Sequence, residues 1–72
     1  MNRQEIIATV TEEATTSYEW SCSWSRAVDV IVEELRHHNL KPTRPLVFYI
    51  LSLAKLTWAG ETARVKKLIA EA

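Results

Sequence analysis

Seventy-two residues suffice for one domain, and at that length folding hides only about 60% of the surface an unfolded chain exposes. Apolar residues make up 47% of the chain and charged residues 25%, with a net charge of zero, which excludes a disordered, strongly charged polymer. One Gly and two Pro are too few turn signals for a protein of many short strands. The reading is therefore a small all-α bundle of three or four helices over residues 1–72, a single domain, with homodimerisation as one way to complete its core.

The lone Cys22 has no intrachain disulfide partner, which fits a reducing compartment. Residues Met1 to Val10 carry Asn, Arg, Gln and Glu instead of a basic patch followed by an apolar run, so they do not read as a signal peptide. The longest uncharged apolar stretch, Pro45 to Ala54, is far shorter than the roughly 20 residues of a membrane span. A cytoplasmic, non-membrane protein is the expectation. The zero net charge hides an asymmetry. Residues 1–40 hold Arg3, Arg26 and Arg36 against Glu5, Glu12, Glu13, Glu19, Asp29, Glu33 and Glu34, a net of −4. Residues 41–72 hold Lys41, Arg44, Lys55, Arg64, Lys66 and Lys67 against Glu61 and Glu71, a net of +4.

In chain order, Asn2 followed by Glu5 has the spacing of a capping box and opens a helix with Ile6, Ile7, Val10 and Ala14 on one side. Thr15, Thr16 and Ser17 are poor helix formers, and Thr16 with Glu19 repeats the box spacing, so helix one is expected to break near Ala14. Trp20, Trp24, Ala27, Val28, Ile31 and Leu35 then recur at helical spacing, opposite Arg26, Asp29, Glu33 and Arg36. His37 and His38 fall in the last turn, Asn39 suits a left-handed stop and Pro42 follows. Thr43 or Arg44 can cap a third helix with Pro45 in its first turn. From Leu46 to Ala59 almost every residue is apolar, and Gly60 reads as the end of that helix. A short fourth helix follows, with Val65, Leu68, Ile69 and Ala72 on one face and Lys66 and Lys67 towards its C-terminus.

The third helix is the most informative element. A helix apolar on all sides must be covered by its own bundle or by a partner. Either it is simply the central helix of the core, or three short neighbours cover only part of it and some of Phe48, Tyr49, Leu53, Leu56 and Trp58 are left for a dimer or partner surface. Trp20 and Trp24, one turn apart, read either as core or as a binding hot spot. His37 and His38 point about 100° apart on a helix and lack zinc-ligand spacing, so favourable charge at a helix C-terminus accounts for them better than a metal does. Cys22 has no local base or oxyanion donors and is not read as a nucleophile. No cofactor, metal or catalytic residue is expected, and the chain is read as a non-enzyme. Mimicry of a nucleic-acid backbone is disfavoured, because the acids of the first half are sparse and mixed with arginine.

Nucleic-acid binding is the alternative. Helix three, Gly60 and helix four look superficially like a helix-turn-helix with Arg64, Lys66 and Lys67 on the second helix. With Gly60 in the turn, however, the positions that seat such a helix fall on Lys66 and Ile69, and burying Lys66 is costly. The favoured reading is a small protein-binding module, a regulator, adaptor or inhibitor of a larger protein, with the build common among accessory proteins of phages and mobile elements. Its expected contact residues are Trp20, Trp24, Tyr49 and Trp58, with Arg44, Arg64, Lys66 and Lys67 steering towards an acidic partner.

Overall fold

A computed structural model describes residues 2–56 and 61–69, the side chains of residues 61 and 62 excepted. Four helices and no strands occur among the described residues: α1 (Arg3–Ser21), α2 (Trp24–His37), α3 (Arg44–Leu53) and α4 (Glu61–Leu68). The capping box forms as the spacing predicts. Asn2 Oδ1 accepts from the Glu5 amide at 2.9 Å, and Glu5 Oε1 accepts from the Asn2 amide at 3.4 Å.

The expected break near Ala14 does not occur; α1 runs on to Ser21. Of the three residues expected to break it, Thr15 bonds back along the helix instead, as Thr11 does one turn earlier. Thr11 donates to the Ile7 carbonyl at 2.7 Å and Thr15 to the Thr11 carbonyl at 2.9 Å, so both are satisfied without leaving the helical backbone. The chain turns at Cys22 (φ 53°, ψ 29°) and Ser23, a two-residue corner. Cys22 takes the left-handed conformation and its amide donates to the Tyr18 carbonyl at 2.7 Å. Extended Ser23 then caps α2 by accepting from the Arg26 amide at 3.2 Å.

The stop after α2 forms a Schellman motif. Asn39 sits at φ 61°, the Leu40 amide donates to the Leu35 carbonyl at 2.8 Å, and the Asn39 amide donates to the Arg36 carbonyl at 3.0 Å. Thr43 caps α3, with Pro45 in its first turn, as anticipated. α3 is shorter than the apolar run implies, because the same motif recurs inside that run. Lys55 sits at φ 59°, the Leu56 amide reaches the Leu51 carbonyl at 2.9 Å, and the Lys55 amide reaches the Ser52 carbonyl at 3.1 Å. The expected turn at Gly60 lies outside the described residues.

One core draws on all four helices: Ile6, Val10 and Ala14 from α1; Val28, Ile31 and Leu35 from α2; Leu46, Val47, Ile50 and Leu51 from α3; Val65 of α4 and Ile69 just beyond it. Each large side chain removed from water there contributes about 1.5–3 kcal/mol. Trp24, Phe48, Leu40 and Leu56 pack against this cluster while keeping partial exposure. α2 and α3 both touch every other helix, whereas α1 and α4 do not touch among the described residues. α2 and α3 therefore form the shared middle, and α1 and α4 lie on opposite flanks.

Candidate protein-binding surface

Three long-range hydrogen bonds fix which helix ends meet. Trp24, the first residue of α2, donates through its indole Nε1 to the Leu56 carbonyl just beyond α3. Arg64 Nη2 donates to Ser25 Oγ at 2.8 Å, which brings α4 against the start of α2. Arg44, the first residue of α3, donates through Nε and Nη2 to the Ile69 carbonyl, both at 3.3 Å. One end of the bundle thus gathers the C-terminus of α1, the start of α2, the end of α3 and Arg64. α4 runs antiparallel to α3.

The expected contact residues that are described lie on all four helices. Trp20 is the most exposed large apolar side chain among the described residues, with 84% of its surface accessible. It stands near the end of α1, while Trp24 begins α2 beyond the Cys22 corner, so the two indoles share no helix face. On α1 the helical spacing puts Glu13 and Thr16 on the face of Trp20, both exposed. Tyr49 lies on the outer side of α3 at 54% exposure, with Leu53 one turn on at 46%. Arg44 is half-buried and bonded to Ile69, whereas Arg64, Lys66 and Lys67 are exposed on α4. Trp58 lies outside the described residues.

The two flanking helices carry opposite net charge, α1 acidic and α4 basic. Glu5, Glu12 and Glu19, all exposed, recur every seventh residue on α1 and form an acidic ridge that drifts only about 20° per step. The cations of α4 lie on the opposite flank. The ridge went unread in the sequence although its signal was present, because seven-residue spacing of like charges marks one face only once the helix is known to continue past Ala14.

Val65 of α4 and Ile69 just beyond it are buried, and Lys66 is exposed. That helix is seated by its own apolar pair. The positions counted from Gly60 would instead require Lys66 inside. Cys22 is exposed at the corner, and the His37 and His38 rings meet edge to face with centroids 5.3 Å apart. No group of three or more His, Cys, Asp or Glu among the described residues is arranged to hold a metal ion. No helix among them is long and apolar enough to cross a membrane. No family model matches this chain, and no curated protein or solved structure matches it either.

Proposed function

We propose that this chain is a small non-enzymatic protein-binding module that acts by occupying a surface of a larger protein, with Trp20 as the anchor of the contact. The observation that carries the reading is the 84% exposure of Trp20 on the regular helix α1. Trp is highly buried on average in folded proteins, and no part of the described fold requires this one to be outside. An indole offers a large, stiff contact area with two rotors to freeze, the property that makes Trp dominate binding hot spots. Glu13 and Glu19 border it and orient a partner that carries cations around an apolar pocket. The steering cations expected for an acidic partner belong to a separate flank.

Affinity capture from the native host with wild-type protein and with Trp20→Ala tests this reading. A protein retained by the wild type and lost by the folded variant supports it, and identical retention by both defeats it. The Trp20→Ala chain must keep its helical circular dichroism for the comparison to count.

A second reading has its own observation. Arg64, Lys66 and Lys67 are all exposed on one short helix, which is an electrostatic footprint for phosphate. Duplex DNA binding with a steep salt dependence, flattened by Lys66→Ala and Lys67→Ala, would favour this regulator reading over the protein-binding one.

A further inference from the structure

The bonds that tie Arg64 to Ser25 and Arg44 to Ile69 also define the end of the bundle away from Trp20. α4 starts near Ser25, and the carbonyl just beyond its last residue is held by Arg44, so α4 runs parallel to α2 and its last turn lies where α2 ends and α3 begins. On α2, Ser25, Val32 and Arg36 follow one another at seven and four residues and share a face, which the Arg64 bond to Ser25 turns towards α4. Arg36, in the last turn of α2, therefore stands on the side of the last turn of α4, which carries Lys66 and Lys67. Lys66 is two residues on from Arg64, about 200° round the helix, and so turns to the α3 side. Arg36, Lys66 and Lys67 are exposed, as is Lys41 in the connection between α2 and α3.

An arginine of the acidic half of the chain thus joins the cations of the basic half. Arg36, Lys41, Arg44, Lys66 and Lys67 gather at this end, against Glu33 and Glu34 within the turn before Arg36. The start of α1 adds Arg3 and Glu5, which cancel, so bases prevail among the described residues there. Of the exposed large apolar side chains among those residues, only Leu68 stands at this end. A protein contact is built round buried aromatic or aliphatic anchors, and a membrane surface takes up a whole apolar helix face, whereas the phosphate backbone of a nucleic acid is held by charge alone. A single strand would need aromatic side chains for its bases to stack on, which this end lacks among the described residues. We propose that this end of the bundle binds the phosphate backbone of duplex nucleic acid without regard to base sequence, with Arg36, Lys66 and Lys67 on phosphates and Lys41 and Arg44 adding to the field. The inference rests on the phosphate footprint of α4 given above as the second reading, and it is independent of Trp20, which stands at the opposite end. It replaces Arg64, which is bonded to Ser25, by Arg36.

Fluorescence anisotropy of a labelled, mixed-sequence DNA duplex titrated with the full chain, from about 20 to about 200 mM salt, tests it. Three phosphate contacts predict a slope of log K against log salt of about −3, the same for a duplex of unrelated sequence. Arg36→Ala, Lys66→Ala and Lys67→Ala should each flatten that slope by about 1. Arg36→Lys should keep it, and so should Arg26→Ala, which makes the same charge change at the other end of α2. All these positions are exposed, and each variant is compared at unchanged helical circular dichroism. Flattening by Lys66→Ala and Lys67→Ala but not by Arg36→Ala overturns the inference and leaves the α4 footprint standing; no duplex binding at low salt overturns both. Equal flattening by Arg26→Ala, a slope lost in Arg36→Lys, or a preference for one base sequence also overturns it. So does tighter binding of phosphatidylserine vesicles, polyglutamate or the single strand than of the duplex.

Discussion

Trp20 and Trp24, four residues apart, lie on different helices: the first points into solvent, and the second packs on the core and donates its indole N–H to the Leu56 carbonyl. The αL residue Cys22 between them is what divides their fates. Substitution should separate them equally clearly. Trp24→Ala should cost about 2–3 kcal/mol, below the full large-to-small penalty because the side chain is only partly buried. Trp24→Phe should cost about 1 kcal/mol through the lost hydrogen bond. Trp20→Ala should change stability by no more than about 0.5 kcal/mol. Urea unfolding of the three variants checks the order.

Acrylamide quenching provides an independent readout of the same arrangement. The emission of Trp20 should be red and strongly quenched in the free protein, so in a Trp58→Phe background Trp20→Phe should shift the remaining emission, that of Trp24, to the blue and lower the quenching constant. Unchanged quenching would contradict the exposure of Trp20.

Among the described residues, three other than glycine hold positive φ at helix ends, Cys22 at 53°, Asn39 at 61° and Lys55 at 59°. The left-handed region costs most side chains roughly 1–2 kcal/mol, less for Asn, and glycine escapes that cost while adding freedom to the unfolded chain. Cys22→Gly and Lys55→Gly should therefore each stabilise the fold by about 0.5–1 kcal/mol. Asn39→Gly should be close to neutral. Thermal or chemical denaturation of the three single variants would show the contrast.

The bidentate contact from Arg44 to the Ile69 carbonyl ties the last turn of α4 to the start of α3. A charged hydrogen bond of this kind is worth about 1.5–3 kcal/mol when buried, and Arg44 is only half-buried, so Arg44→Ala should cost about 1–2 kcal/mol. The loss should be local. Amide exchange should accelerate in residues 63–69 before it does in α1 or α2. A uniform acceleration across all four helices would contradict the local role.

N-caps give a smaller effect with a definite pattern. Ser23 and Thr43 each accept a backbone hydrogen bond in the first turn of α2 and α3, at 3.2 and 3.4 Å. Ser23→Ala and Thr43→Ala should each cost about 1 kcal/mol, and their effects should add because they cap different helices. Double-variant unfolding measures that sum.

Boundaries written in side chains with one strong conformational preference could be read directly from the sequence. Asn2 with Glu5, Asn39 ahead of Pro42, and Thr43 ahead of Pro45 were all placed correctly, because each supplies a specific acceptor, a tolerated left-handed geometry or a fixed φ. The Cys22 and Lys55 corners could not be read. Neither residue favours the left-handed region, yet each sits there where a backbone amide closes the helix end, Cys22 on Tyr18 and Lys55 on Ser52. The Cys22 corner likewise took Trp20 off the face it was expected to share with Trp24. Thr15, Thr16 and Ser17 misled in the other direction: their composition suggests a break, whereas the Thr15 hydroxyl returns to the Thr11 carbonyl of a helix that continues to Ser21.

The two-residue corner at Cys22 and Ser23 also governs how quickly this molecule forms. α1 and α2 share the most extensive helix pairing in the bundle and are joined by the shortest connection, so their contacts require almost no loop to be closed. Acquisition of the native state should begin with this hairpin and finish with the docking of α4. A topology so dominated by local pairing belongs to the class that folds on the order of microseconds to milliseconds, and the chain can reach its native shape almost as soon as it is synthesised.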